Sequence, residues 1–533
     1  MACPLAGTGE RAASLPAAGL PTGSNAIMRE AVAAFAQGSL LVSSLRSLSL
    51  PLVLCAVVLA GCATRPINAP ITEVNRNSGY RFQTRQLSDN DKENLVILAF
   101  SGGGTRAAAF SYGVLEELRR TEVVNAKGRT VRLLDEVDVI TGVSGGSFTA
   151  LAYGLYGDEL FDVYEERFLK RDVQGELLSR FLSPKNWSAL WSEGWGRSEM
   201  AAEMYDQHLF RGATFRDLDR RDGPLIVATA TDISTGSRLA FTQTDFDLLC
   251  SDVDSVPLSR AAAASSAVPL VLSPVTLNNY GGTCGWKLPG WAQAMRDNDA
   301  RARPAGRALQ RMKELEAFQD STNRPYLHMV DGGLADNLGM RSVLEAFEEL
   351  EAARSLGRTT RLDQVKRIVV IVVNSLSVPK TDWDKSARPP NDVLILLKAT
   401  GVPIDRYSYE AIELLKDIIA RWKTLRTLRE SRVFQVGASG NLPAVLNVPD
   451  IEVYPIDVSF EALRDRTEVE YLNDLPTSFV LSHEAVDRLR AAAGTIIEQS
   501  PEFQRLLRDT GARIVPKAQA TPGAPALPVR AAN

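Results

Sequence analysis

The chain has 533 residues, enough for one large α/β domain with additions or for two to three smaller domains. With 45% hydrophobic and 23% charged residues it can bury a core and stay soluble, and a net charge of −4 gives no electrostatic reason to expect nucleic acid as a partner. Only three histidines occur (His208, His328 and His483), and no HExxH, CxxC or P-loop GK[ST] string is present, so no metal or cofactor is expected.

Residues 1–27 are rich in Ala, Gly, Pro and Ser without periodicity and end just before Met28, a second possible start. Arg29 and Arg46 precede an apolar run at 48–59 that is short for a bilayer span and reads as a signal-peptide core. Leu59-Ala60-Gly61-Cys62 then resembles the bacterial lipobox, in which Cys62 becomes an acylated N-terminus. Ala63 behind it resembles the pattern of lipoproteins sent to the outer membrane, here facing the periplasm. The Pro- and Asn-rich stretch 63–91 suits a tether to a folded body.

The body begins with a buried strand at 95–100, followed at once by Ser101-Gly102-Gly103-Gly104-Thr105-Arg106 and a helical pattern through residue 120. Glycines where a strand hands over to a helix free backbone N–H groups at a positive helix end, which makes an anion cradle. A strand at 137–140 then runs into Thr141-Gly142-Val143-Ser144-Gly145-Gly146-Ser147 and an apolar helix. That is the layout of a nucleophile elbow, with Ser144 as the candidate nucleophile. Trp187, Trp191 and Trp195 would share one helix face if the helix survives Gly194.

A buried strand at 225–232 and a helix from Leu258 stopped by Pro269 come next. Residues 278–325 read as an insertion or lid. A short strand at 326–330 ends in Asp331-Gly332-Gly333, a helix follows from 340 to 356, and the β-branched run at 368–373 marks a central parallel strand. Residues 404–432 read as a long charged amphipathic helix or pair packed on the body; a late strand at 451–460, a late helix at 482–498 and a disordered tail at 516–533 complete the chain. Cys250 and Cys284 remain as the one pair able to form a disulfide in an oxidising compartment, the alternative being two unpaired thiols.

The glycine-rich loop, the serine elbow and the Asp-Gly-Gly, in that order and each at a strand end, resemble the patatin-like phospholipases from about Asn94 to Leu344; Leu475-Pro476-Thr477-Ser478-Phe479 is similar to the bacterial members. Ala107 stands where that family usually has a further glycine. The resemblance implies a three-layer α/β/α fold with a mostly parallel central sheet. It also implies a Ser144–Asp331 dyad without histidine, an oxyanion loop at Gly102, Gly103 and Gly104, and a lipid acyl ester as substrate. Arg106 is a candidate support for that loop or for a lipid phosphate, with a structural ion pair as the alternative. Two rival readings stay open: a Ser144, Asp331, His483 triad in α/β-hydrolase order, and a lipid-binding scaffold that keeps the elbow without turnover.

Overall fold

The computed structural model describes residues 63–85, 92–125, 127–190, 192, 194–219, 223–289, 292–293, 306–355, 361–381, 383–431 and 448–516. The expected signal peptide, Cys62, Trp191, the middle of the insertion and the tail from 517 lie outside them.

The β-branched run around Ile371 forms the strand Arg367–Asn374 near one side of the main sheet. In spatial order the sheet runs β10 (Glu452–Ser459), β9 (Arg367–Asn374), β1 (Asn94–Phe100), β4 (Val137–Val143), β5 (Leu225–Asp232), β8 (Tyr326–Asp331) and β7 (Val275–Asn278). The short β6 (Arg238–Ala240) pairs with β5. The first five strands are parallel, whereas β8 is antiparallel to β5 and β7 to β8. A separate antiparallel sheet joins β2 (Thr121–Val124), β3 (Thr130–Arg132) and β11 (Arg513–Ile514).

Alternation along the strands sorts their side chains into two layers. Val96, Leu98 and Phe100 of β1, with Val369, Ile371 and Val373 of β9, pack in one core with α1 (Gly104–Arg119), α2 (Gly145–Tyr156) and residues of α3 (Leu258–Ser265). Leu95, Ile97, Ile368, Val370 and Val372 face the opposite way, onto α4 (Arg341–Ser355) and α5 (Asp392–Glu430). The helix α6 (His483–Gln499) lies against the first core, beside α1. The expected three-layer α/β/α architecture is therefore present, with β8 and β7 supplying its antiparallel side.

Three expectations need correction. The segment 63–85 is not a free tether. Tyr80 is fully buried, its hydroxyl accepting from Ile226 N at 2.7 Å, while Arg81 pairs with Asp247 at 2.9 Å and Asn68 is buried against Ser251. Its polar composition conceals a few anchoring side chains, each satisfied by the body. Trp187 and Trp195 do not share a helix face, because Gly194 takes φ 70° between them; Trp187 is 54% exposed while Trp195 is buried. The described parts of the insertion are packed rather than lid-like: the helix Gly306–Gln319 buries Leu315 and Phe318, and Gln319 Nε2 donates to Leu248 O. Cys250 and Cys284 are joined by a disulfide with Cα atoms 5.4 Å apart, and Cys250 O accepts from Ile71 N, so the bridge sits under the docked N-terminal segment.

Candidate active site

Ser144 stands between β4 and α2 with φ 48° and ψ −121°. A non-glycine residue in that region costs on the order of 1–3 kcal/mol and persists only where its surroundings over-determine it. Here Ser147 N and Ser147 Oγ both donate to Ser144 O, at 3.0 and 2.6 Å, and Ser144 N donates to Ser265 Oγ at 2.9 Å. Gly145 is required by its neighbour: a Cβ there would land on the Gly104 carbonyl, so the elbow and the glycine-rich loop touch through bare backbone.

Strand register brings the acid to the same place. Val143 of β4 pairs with Thr229 of β5, and Ala230, the next residue of β5, pairs with Asp331 of β8. Ser144 and Asp331 thus flank β5 at one level, and Asp331 can reach the elbow because its strand meets β5 from the opposite direction. Ser144 Oγ donates to Asp331 Oδ2 at 2.8 Å, and Gly333 N donates to Asp331 Oδ1 at 2.8 Å. Both residues are buried, Ser144 5% and Asp331 8% exposed. Burial pushes the Asp331 carboxyl up to about 6, against the opposing pull of the Gly333 N–H and the Ser144 hydroxyl.

The three glycines do not play equal parts. Gly102 N already donates to Asn337 O at 3.0 Å, which removes it from the set of available donors. Gly103 at φ 141° and Gly104 at φ 61° have N–H groups with no acceptor among the described residues, and the following Thr105 N is taken by Ser478 O at 2.9 Å. Two free donors therefore remain at the start of α1.

Arg106 is buried, and all three of its guanidinium nitrogens are engaged by the protein. Its Nε donates to Ser375 O at 2.8 Å, Nη1 to Leu475 O at 2.8 Å and Nη2 to Thr477 Oγ1 at 3.1 Å. Burial lowers its pKa to about 10, with Asp405 pulling it back up. The residue is a strut that fixes the glycine-rich loop to two distant segments, which corrects the phosphate reading. Arg106→Leu is expected to cost about 2–4 kcal/mol, read as a lowered Tm, because several buried acceptors lose their donor. A variant of unchanged Tm, with KM raised only for phosphate-bearing substrates, would restore that reading.

The triad reading fails on geometry. His483 is the exposed first residue of α6, with Nε2 3.2 Å from Lys170 O. His328 faces Thr276 Oγ1 at 3.1 Å and His208 faces Glu176 at 3.0 Å. With Ser144 and Asp331 in direct contact, no imidazole stands between them. Residues not singled out from the sequence complete the site: Ser265 and Asn337 hold the elbow and Gly102, and Thr231 Oγ1 donates to Asp331 O at 2.9 Å. Asn337 lay in view in Asp331-Gly332-Gly333-Leu334-Ala335-Asp336-Asn337, whereas nothing local marked Ser265.

Residues 98–344 match the family model described as patatin-like phospholipase. This stretch is a patatin-like phospholipase domain. Among curated proteins, the chain is 28% identical over 196 residues to a cGAMP-activated phospholipase of Escherichia coli, an alignment covering 35% of this chain and 50% of that protein. The chain thus spans about half the length of the curated relative that it matches. Among solved structures, human GIVD cytosolic phospholipase A2 aligns with 79% of this chain and 62% of its own at 12% identity and TM-score 0.38. Full-length ExoU from Pseudomonas aeruginosa aligns with 79% of this chain and 88% of its own at 12% identity and TM-score 0.20. The patatin-like domain holds the elbow, the glycine-rich loop and the acid, while Ser375, Leu475 and Thr477, which receive Arg106, come from outside it.

Proposed function

We propose that the protein is a lipid acyl hydrolase working through a Ser144–Asp331 dyad. The observation that carries this reading is the 2.8 Å contact between the Ser144 hydroxyl and a buried carboxylate, next to the unclaimed N–H groups of Gly103 and Gly104. Ser144 Oγ attacks the ester carbonyl while Asp331 takes its proton, and the tetrahedral oxyanion is held by the two N–H groups. Asp331 then gives the proton to the departing alcohol, leaving acyl-Ser144. Water attacks this ester as its proton passes to Asp331, and collapse releases the fatty acid while Asp331 returns the proton to Ser144 Oγ. The raised Asp331 pKa fits a residue that must alternately accept and return a proton.

The substrate class is a phospholipid or another lipid acyl ester, in keeping with the family. We further propose, on the Leu59-Ala60-Gly61-Cys62 string, that the chain is lipid-anchored at Cys62 in a bacterial envelope, on the periplasmic side of the outer membrane. Among the described residues no helix is long and apolar enough to cross a membrane.

A fluorophosphonate probe tests the dyad. Ser144 Oγ is expected to displace fluoride from phosphorus, leaving the adduct mass on the Ser144 peptide. His483→Ala should label equally, and wild type should release free fatty acid from phospholipid vesicles. Labelling at another residue, or a folded wild type that neither labels nor releases fatty acid, refutes the reading.

A further inference from the structure

The glycine-rich loop is fastened at both ends and bare between them. On the strand side, Ser375 Oγ donates to Gly102 O at 2.9 Å and Gly102 N donates to Asn337 O at 3.0 Å. On the helix side, Thr105 N donates to Ser478 O at 2.9 Å, and Arg106 donates to Leu475 O and Thr477 Oγ1. Gly103 and Gly104 lie between the two sets of bonds, and theirs are the N–H groups that the proposed mechanism uses.

Two adjacent glycines do not hold one conformation by themselves, since glycine has the most backbone freedom to lose. Donors stabilise an oxyanion best when they are aimed before the charge develops. At φ 141° and 61° these two peptides must therefore be held from outside. The segment Leu475–Phe479 does so on the helix side. Its Ser478 carbonyl takes the next N–H, and it lies so close that a Cβ on Gly104 would come within 2.3 Å of it.

That segment is seated in turn on the other half of the site. Phe479 is half-buried, with its ring edge-on to Phe148 at 5.6 Å between centroids and 6.4 Å from Tyr205. Phe148 is fully buried in the first turn of α2, four residues after Ser144. One ring thus ties the residue that fixes the donors to the helix that starts at the nucleophile.

We propose that Phe479 is a positioning residue for the oxyanion site: its ring, seated on Phe148, keeps the Ser478 carbonyl on Thr105 N and so keeps the Gly103 and Gly104 N–H groups aimed at a carbonyl bound at Ser144. The inference rests on the hydrolase reading, and it assigns part of the site's alignment to a segment outside residues 98–344.

The test measures the full chain against three ligands of equal chain length: a p-nitrophenyl ester, an alkyl trifluoromethyl ketone and a dialkyl ether. Ser144 Oγ adds to the ketone carbonyl as Asp331 takes its proton, which leaves a tetrahedral oxyanion on the donors; the ether has no carbonyl. Phe479→Ala should lower kcat/KM by about tenfold or more and raise the ketone Ki by a similar factor, with the affinity for the ether unchanged. Phe479→Leu, which keeps an apolar side chain on Phe148, should recover most of both. Thr477→Val, at an exposed position, loses the Oγ1 that accepts from Arg106 and should move both by about threefold in the same direction. A loss of folded molecules would lower the rate without changing Ki. A ketone Ki unchanged in folded variants of an active enzyme overturns the proposal alone. Ketone and ether weakened together also overturn it, making Phe479 a wall of the acyl site. A folded wild type that neither cleaves the ester nor binds the ketone refutes the hydrolase, and the proposal with it.

Discussion

Ser144→Ala is expected to lower the rate of ester hydrolysis by roughly 10⁴-fold or more, on soluble and vesicle substrates alike, because in the proposed mechanism the acyl intermediate forms on its hydroxyl. The effect should be on chemistry rather than folding. Alanine has to adopt the same φ of 48°, and the backbone bonds that hold residue 144, from Ser147 N and to Ser265 Oγ, do not use its side chain. What is lost inside the protein is one donor to Asp331 Oδ2, leaving Gly333 N as the remaining bond to that carboxylate among the described residues. Initial rates on a p-nitrophenyl ester, with Tm measured on the same preparation, decide the matter. Activity within tenfold of wild type in a folded variant removes Ser144 from the mechanism.

Asp331→Asn should be nearly as damaging, by about 10³-fold or more, and should part activity from stability. Burial pushes the wild-type carboxyl up to about 6 in the folded state, against about 3.9 in an unfolded chain. The folded state therefore binds more protons between those values, and stability falls as pH rises from about 4 through about 6, by about 3 kcal/mol in all. Activity runs the other way: the base must be ionised, so kcat/KM should climb through pH 6 and level off above it. Asparagine keeps an acceptor for Gly333 N and a polar contact for Ser144 but carries no charge. The variant should lose the fall in Tm between pH 4 and pH 7 that Asp331 is expected to give the wild type. A wild-type Tm that rises over that range through this residue, or an active Asp331→Asn, contradicts the proposed base.

What could be read from the sequence were the places where backbone geometry dictates residue type. The elbow and the Asp-Gly-Gly needed small residues at strand ends, and both stand where expected. The strand at 368–373 was legible because a β-branched run covered on both faces has few alternatives. Features made by distant partners were not legible. Arg106 looks like a free cation beside a glycine loop until Ser375, Leu475 and Thr477 are seen around it. Gly102 looks equivalent to its two neighbours until Asn337 O takes its N–H. The stretch 63–85 has the composition of a linker, and only the slot filled by Tyr80 and the carboxylate of Asp247 reveal that it is fastened down. The helix expected at 404–432 in fact starts at Asp392 and carries Pro403 within it.

The order of strands limits how this chain can be divided. The patatin-like stretch ends at residue 344, yet β1, which leads into its glycine loop, is paired on one side by β9 and, beyond that, by β10, both from later in the chain. Cut after residue 344 with all of β1 kept, the chain would carry β1 as a raw edge, with the apolar row Val96, Leu98 and Phe100 missing much of its cover, and such an edge recruits copies of itself. The stretch that holds Ser144 and Asp331 and the two late strands that shield it should therefore fold and unfold as one body.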